Sequence, residues 1–338
     1  MNDRVKVNIH DIIDSPYIYI DWNVVKYMKE PRSNCIRMDN ECRETIYKLK
    51  RKYKFPFSEA HIQDRASKFR EEYRDKVIED FMFFGGISDN LVIGRCEEKD
   101  KFIMQYYNPM KMFNDEVEKI ENKVKQDNLY TPQGTFQADM SKIGEDHPLY
   151  EMLKANNGLY TPTAMNDYIE KMFDKIFSDA NEYKRFRNYI GKVNIDKNEL
   201  LNQQSNLGDM LYAQYLYNHM QEFVKSMQYN REELKQNWEN ITKEYLSMSS
   251  TTNLSKEKSL IQGYMLLEMH PIFYDQLKNK KNTLDNIRRD AMHVYYASEA
   301  KYFISEDLHT REKTKFLYEV YNIKTKVVSE EEFLEYFC

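Results

Sequence analysis

The sequence of 338 residues predicts an α/β protein, in which a short parallel sheet flanked by helices is interrupted by a large all-helical insertion. Short apolar runs alternate with helical patterns at both ends of the chain, which is the order that parallel strands with crossover helices produce. Between them, residues 101–283 show almost only the spacing of amphipathic helices. We therefore predict a discontinuous core, residues 1–100 and 284–338, around an insertion of residues 101–283.

In the N-terminal part of the core, apolar runs of strand length are separated by segments whose apolar residues recur every three or four positions. Ser58 has the side chain of a helix N-cap. The predicted elements are, in order, a strand at 17–21, a helix ending near Pro31, a helix within 41–54, a strand at 55–57, a long helix from 59 to 84 and a short strand within 85–96.

Helical spacing continues through the insertion, with Thr161 and Ser255 as N-caps and a polar loop at 247–258. Its apolar helix faces run from Met165 to Ile176, from Leu207 to Phe223 and from Trp238 to Tyr245. After the insertion the chain resumes with a helix over 285–300, a strand at 302–304, a helix at 310–321, a strand at 325–329 and a closing helix at 330–337.

The composition favours a soluble protein. The chain has 31% charged residues, no apolar run of membrane length and no apolar core near its N-terminus, so we expect a cytoplasmic protein without a membrane segment. The four cysteines lack metal-binding spacing and are expected to be free thiols. The net charge of -5 argues against general binding of nucleic acid but is compatible with a local basic patch.

Four aspartates stand near the ends of the predicted strands. Asp21 follows the first strand, Asp64 lies early in the helix after the second strand, Asp290 lies on the helix before residues 302–304, and Asp307 follows that strand. Ligands of parallel sheets collect at the carboxyl ends of strands, and carboxylates gathered there repel one another unless a cation neutralises them. Because hard cations prefer oxygen ligands, we expect one or two Mg²⁺ or Mn²⁺ ions.

Each aspartate also has a simpler interpretation. A single Asp after a strand is most often a turn residue or a helix cap, and Asp64 taken alone would be a solvated charge on a helix. The order and spacing of the four residues together favour the shared site. Glu59 competes with Asp64 for the second position.

Three stretches resemble the motifs of the PIN-domain nucleases: IYIDWNVV at 18–25, FPFSEAHIQD at 55–64 and DAMHVYYASEAKYFISED at 290–307. The resemblance covers residues 1–100 and 284–338 and does not extend to the insertion. It implies a PIN-like three-layer α/β/α core and metal-dependent hydrolysis of RNA or single-stranded nucleic acid, as in the toxins and defence nucleases of this family. It also implies that the metal-binding and catalytic residues are Asp21, Asp64, Asp290 and Asp307.

Further residues could support such a site. His61 and His293 each lie three residues from a proposed acid on the same helix face, where they would contact the site unless they are ordinary helix-surface histidines. Asn23 and Ser305 would hydrogen-bond a carboxylate or cap the following helix. The basic residues expected to bind phosphates are Lys50, Arg51, Lys52, Lys54, Arg311 and Lys313.

Two functions remain open from the sequence. The first is a metal-dependent nuclease, with a toxin or defence effector among its contexts and the insertion as a sensor or lid. The alternative is a catalytically inactive PIN-like protein that binds a regulatory protein or a second copy of itself through the insertion. Other chemistries lack their motifs, since the sequence has no GxSxG elbow, HExxH helix, phosphate loop ending in GK[ST] or Gly-rich dinucleotide fingerprint.

Overall fold

The chain divides into two compact units. A computed structural model describes residues 15–67, 69–96, 101–127, 136–145, 150–161, 164, 179, 181, 221–247, 255–273 and 284–337. One unit is formed by Met1–Lys125 with Arg288–Cys338, and the other by Gln126–Ile287. The first unit extends past residue 100, the boundary that the sequence predicted for the core.

Helices and short strands alternate along the described parts of the chain. In order, these elements are β1 (Ile18–Ile20), α1 (Trp22–Lys29), α2 (Ile36–Leu49), α3 (Glu59–Ala66), α4 (Arg74–Ser88), β2 (Leu91–Cys96), β3 (Lys101–Tyr106), α5 (Pro109–Asp127), β4 (Phe136–Gln137), α6 (Tyr150–Ala155), β5 (Leu159–Tyr160), α7 (Gln221–Ser226), α8 (Arg231–Ser247), α9 (Lys256–Met269), α10 (Leu284–Ala297), β6 (Tyr302–Ile304), α11 (Leu308–Val320), β7 (Lys326–Val328) and α12 (Glu330–Glu335).

A parallel sheet joins the two ends of the chain in the first unit. β6 lies between β1 and β7, and Tyr302 pairs with Ile18 on one side and with Lys326 on the other. On the other side of β1, residues 54–57 extend the sheet towards β2. The amide of Ile18 donates to the carbonyl of Lys54 at 2.9 Å, and residue 57 makes a bridge to β2. The predicted parallel sheet with accompanying helices is confirmed.

The carboxyl ends of these strands lie at one edge of the sheet. Asp21 follows β1, Ser58 follows residues 54–57, and Ser305 follows β6. The amide of Asp21 donates to the carbonyl of Ile304 at 2.9 Å, which keeps the ends of β1 and β6 together. Residues distant in the sequence therefore meet at this edge.

Residues 55–57 do not form the regular strand that the sequence predicted. Lys54 and Phe57 make isolated bridges to the neighbouring strands. Pro56 lies between them and has no amide proton to donate, so a continuous ladder is interrupted here. The segment nevertheless carries Ser58 to the carboxyl edge.

Two further predictions were wrong in detail. The single helix predicted from 59 to 84 is two helices, α3 and α4, with a 3₁₀ turn at Glu71–Tyr73 between them. α4 continues through its two glycines to Ser88 and ends where Asp89 adopts a left-handed conformation, with φ of 54°. Residues 101–106, predicted to be helical, form β3, because antiparallel pairing with β2 overrides their helical pattern.

The apolar core packs one face of the sheet against helices. Ile18 and Ile20 belong to a buried cluster with Val24 of α1, Ile46 of α2 and Phe81 of α4. Burial of each such side chain stabilises the fold by about 1.5–3 kcal/mol. Since side chains alternate along a strand, the residue between the two isoleucines points to the opposite face of the sheet.

The described parts of the second unit contain helices and a small sheet. β4 and β5 pair in antiparallel fashion, so the prediction of an all-helical insertion was wrong; strands of two residues are too short to show a periodic pattern. Ser255 caps α9 as predicted, and the Thr161 hydroxyl accepts a hydrogen bond from the amide of Ala164 at 2.8 Å. The helix faces predicted at 165–176 and 207–220 lie outside the described residues.

Membrane-spanning helices were not expected from the sequence. Within the described ranges, no helix combines the length and the apolar character needed to cross a bilayer.

A cluster of one arginine and three carboxyl groups joins α2 to the C-terminal elements of the first unit. The Arg32 guanidinium binds Asp39 at 2.5 Å and Glu306 at 3.0 Å, and it also contacts Glu330. Burial, followed by the charge of Glu306, raises the pKa of Glu330 to about 8. At neutral pH, Glu330 therefore holds a proton that it would lose in the unfolded chain.

We predict that Glu330→Gln makes the protein more stable relative to wild type as the pH rises from about 5 to about 8. Above the unfolded pKa of 4.5, folding of the wild type requires proton uptake, so its stability declines by at most about 1.4 kcal/mol per pH unit until the folded pKa is passed. Urea unfolding across this pH range measures the difference between the two proteins. Glu335→Gln, an exposed change on the same helix, is the control, and parallel curves for wild type and Glu330→Gln would contradict the prediction.

Candidate active site

Asp21 occupies a helix N-cap position but does not cap the helix. Its backbone precedes α1, yet its side chain makes no capping hydrogen bond. Instead, one carboxylate oxygen accepts a hydrogen bond from the Ser305 hydroxyl at 2.8 Å. Burial raises the pKa of Asp21, against the opposing effects of His293 and Ser305. The predicted supporting role of Ser305 therefore has a structural basis.

Asp290 and Asp307 differ in their surroundings. Burial, followed by repulsion from Asp64 and Asp21, raises the pKa of Asp290 well above its ordinary value. Asp307 is exposed and accepts a hydrogen bond from the amide of Thr310 at 2.7 Å, so it is the N-cap of α11. Asp307 is thus a helix cap, as the simpler interpretation of an Asp after a strand predicted, whereas the side chain of Asp21 is not.

Asp64 binds two basic side chains of α10. Arg289 donates to one carboxylate oxygen at 3.1 Å, and Nε2 of His293 lies 2.9 Å from the other. Arg289 and His293 are four residues apart, so they lie on one face of the helix. Burial alone would raise the pKa of Asp64, but the hydrogen bond and charge of His293, with the charge of Arg289, outweigh it and lower the pKa. His293 therefore contacts Asp64 across helices rather than supporting Asp290 within its own helix.

A buried hydrogen-bond network connects Asp64 to the sheet. The Tyr19 hydroxyl lies 2.8 Å from Nδ1 of His293 and 2.5 Å from the Ser58 hydroxyl, and all three side chains are buried. Asp64 raises the pKa of His293 against the effect of burial. This favours the imidazolium, in which Nε2 donates to Asp64 and Nδ1 donates to Tyr19.

His61 ends the network on the side of the sheet. The amide of Ser58 donates to Nδ1 of His61 at 3.0 Å, so Nε2 carries the proton and donates to the carbonyl of Ile20 at 2.8 Å. Burial, followed by the charge of His293, lowers the pKa of His61 to about 3. His61 is thus a neutral, buried residue that fixes the start of α3, and of its two predicted interpretations the ordinary helix-surface histidine does not hold.

The four aspartates act on one another electrostatically without forming a compact metal cage. The pKa of Asp290 responds to Asp64, Asp21 and Asp307. Across the described ranges, however, no group of three or more His, Cys, Asp and Glu side chains is arranged to hold a metal ion. The two observations agree, since charge repulsion acts over longer distances than coordination does. Asp21 and Asp290 have the donor chemistry for a hard cation, whereas both oxygens of Asp64 already accept hydrogen bonds.

Glu59 does not share the surroundings of Asp64. It accepts a hydrogen bond from Gln63 at 3.2 Å, and it acts on the pKa of Lys119 of α5. The two candidates for the second acidic residue therefore have different neighbours. Asp64 contacts side chains of α10, whereas Glu59 interacts with Gln63 and acts on Lys119. Asn23 is exposed on α1.

The predicted phosphate-binding residues lie in two different places. Residues 50–54 precede the segment that ends at Ser58, so they lie towards the amino ends of the parallel strands, away from the acids. Lys50 there binds Asp89 and the carbonyl of Gly86, both at 2.6 Å. Arg311 and Lys313 instead belong to α11, which starts at the carboxyl edge.

Arg311 and Lys313 are held close to the acidic edge. Arg311 donates to the carbonyl of Ser305 at 2.7 Å. Lys313 is only 4% exposed, and its charge counteracts the rise in the pKa of Asp290. Lys313 is therefore a counter-ion within the site rather than a freely exposed surface charge.

Sequence reasoning missed Tyr19 and Arg289 as parts of this site. Tyr19 looked like one more residue of a buried strand, although a polar aromatic residue inside such a strand needs a hydrogen-bond partner. Arg289 was overlooked despite lying four residues before His293. That spacing is the signal in the sequence that could have found it.

No family model, curated protein or solved structure matches the chain. Membership of the PIN-domain family thus stays a prediction, which rests on the motif residues.

We predict that Tyr19→Phe lowers the free energy of unfolding by about 1–3 kcal/mol, because it removes the partner of the buried Nδ1 of His293 and one of the partners of the Ser58 hydroxyl. Urea unfolding at neutral pH measures the change. Tyr106→Phe is the matched control, since Tyr106 is 62% exposed. Equal stability of the two variants would contradict a structural role for the Tyr19 hydroxyl.

Proposed function

We propose that the protein is a metal-dependent nuclease with a PIN-like three-layer core, which hydrolyses phosphodiester bonds of RNA or single-stranded nucleic acid. The observation that carries the proposal is the pair Asp21 and Asp290. Burial raises the pKa of both carboxyl groups; repulsion from Asp64 and Asp307 adds to this effect for Asp21, and repulsion from Asp64 and Asp21 adds to it for Asp290. Asp21 also lies at the carboxyl edge of a parallel sheet and is not used as a helix cap.

Asp21 and Asp290 are the residues that would hold Mg²⁺ or Mn²⁺. Such ions are commonly bound by one or two carboxylates, with the substrate phosphate and water completing their coordination. When bound, the ion supplies charge stabilisation for the phosphodiester and lowers the pKa of water. A divalent cation would also relieve the repulsion between the two carboxylates.

The neighbouring side chains have separate roles in this proposal. Ser305 orients Asp21 through its hydroxyl, which donates at 2.8 Å. Asp64 is held by Arg289 and His293, so it orients α10, on which Asp290 lies, and it raises the pKa of His293. Arg311 and Lys313 place positive charge at the same edge, where they would attract a phosphate group.

The other predicted roles stay predictions. They include phosphate contacts by residues 50–54, a cytoplasmic location, a toxin or defence context, and regulation by a partner protein or a second copy through the insertion.

One observation favours the alternative function, that of a catalytically inactive PIN-like protein acting as an interaction module. Arg289 and His293 occupy both oxygens of Asp64. A carboxylate satisfied in this way is neutralised without a cation. The alternative requires that neither cleavage nor a metal effect on stability be found.

We predict that the purified full-length protein cleaves single-stranded RNA or DNA in the presence of Mn²⁺, and that Asp21→Asn and Asp290→Asn each lower the rate by about a hundredfold or more. Asparagine keeps the shape of the side chain and an acceptor oxygen for Ser305 but removes the charge. End-labelled oligonucleotides resolved on gels measure the rate. Undiminished cleavage by both variants would rule out this site.

Asp75→Asn is the matched control for these variants, because Asp75 is exposed on α4 of the same unit. Mn²⁺ should raise the melting temperature of the wild type and of this control but not that of Asp21→Asn. Absence of both cleavage and a metal-induced shift in the wild type would support the inactive alternative.

A separate prediction distinguishes the two roles of Asp307. Asparagine caps helices about as well as aspartate, whereas alanine loses about 0.5–2 kcal/mol. Asp307→Ala should therefore be less stable, and Asp307→Asn should be as stable as wild type but cleave more slowly if the charge is needed. Thermal unfolding and the cleavage assay measure the two effects, and full activity of Asp307→Asn would leave Asp307 with the capping role alone.

A further inference from the structure

A cavity of about 330 Å³ lies on one face of the β2–β3 hairpin. Val92 and Gly94 of β2 line it together with their cross-strand partners Gln105 and Ile103. Its volume is in the range of small-molecule sites. None of the four aspartates proposed for catalysis lines it.

Gly94 lies in the floor of this cavity and leaves space there because it has no side chain. Neither packing nor the strand geometry requires a glycine at this position. A Cβ atom placed there would meet nothing within 4 Å. The strand register is continuous across Gly94, which pairs with Ile103, so no bulge requires it. Glycine in a regular strand weakens the strand, and one physical reason to have it is the close approach of another molecule.

The walls of the cavity combine apolar and acidic groups. Tyr107 and Tyr296 contribute aromatic side chains, and the carboxylates are those of Glu59, Asp115 and Glu116. Glu116 binds Lys119 at 3.1 Å. A single lysine therefore faces three carboxylates on α3 and α5.

A second basic residue, Arg95, also lines the cavity. The Arg95 guanidinium lies over the ring of Phe102, 5.8 Å from its centroid. Phe102 is the cross-strand partner of Arg95. Three carboxylates and two basic side chains line the cavity, so the formal charge of its lining is -1 (two positive and three negative).

We propose that this cavity binds a small organic cation with an apolar or aromatic body, placed over Gly94 with its ammonium group towards Asp115 and Glu116. An apolar floor favours the body of such a ligand, and the acidic wall selects its charge. A ligand of this class would act at a site separate from the proposed nuclease centre.

The probe for the test is phenethylammonium, with neutral 2-phenylethanol and anionic 3-phenylpropanoate as controls of similar shape. Binding to the full-length protein is measured by ligand-observed NMR titration. We expect saturable binding of the ammonium probe and weaker or no binding of the other two. Gly94→Leu, which fills the floor, should abolish binding, and Asp115→Asn should weaken it by about two- to fivefold.

Gly86→Ala changes a glycine outside the cavity and should leave binding unchanged. The comparison of the three probes on the wild type does not depend on the folding of any variant. The proposal is overturned if the ammonium probe shows no saturable binding, if the three probes bind equally well, or if a folded Gly94→Leu binds as the wild type does.

Discussion

The Tyr19 hydroxyl is the contact on which the proposed active site depends. It joins strand β1 to Ser58 at the start of α3 and to His293 of α10, and it is buried between the sheet and these helices. Buried polar groups are costly unless each has a partner, so this network allows few alternative arrangements of the three elements. The positions of Asp64 and Asp290 follow from the position that it gives to α10.

The acidic residues at the carboxyl edge are stabilised in different ways. Asp64 is paired with Arg289 and His293, and Asp307 accepts a hydrogen bond from the amide of Thr310 at the start of α11. Asp21 has the Ser305 hydroxyl, which donates a hydrogen bond but brings no positive charge. The charge of His293 opposes the rise in the pKa of Asp21, and that of Lys313 opposes the rise for Asp290, but burial and repulsion outweigh them and both pKa values are raised. Charge arranged in this way is common at functional sites, where a substrate or cation supplies what the protein lacks.

Several elements could be predicted from the sequence because their signals are local. β1 and β6 are short apolar runs, and Ser255 caps its helix as its side chain and position predict. The boundaries of helices and strands were harder to predict. The helix over 59–84 is divided, and β3 replaces a predicted helix, because pairing with β2 is a contact between strands that no periodic pattern records.

The sequence by itself determined which chemical groups are available, namely carboxylates and hydroxyls that follow apolar strands, and it indicated that the two ends of the chain form one sheet. Tertiary structure alone decided how deeply each group is buried, which partner it hydrogen-bonds and in which direction its pKa shifts. Asp21 and Asp307 follow strands in the same way, yet one is buried beside Ser305 and the other caps a helix in solvent. The pKa values and the partners of His61 and His293 likewise depend on burial and on residues far away in the chain. Desolvation and charge interactions act through space, and the order of residues does not record them.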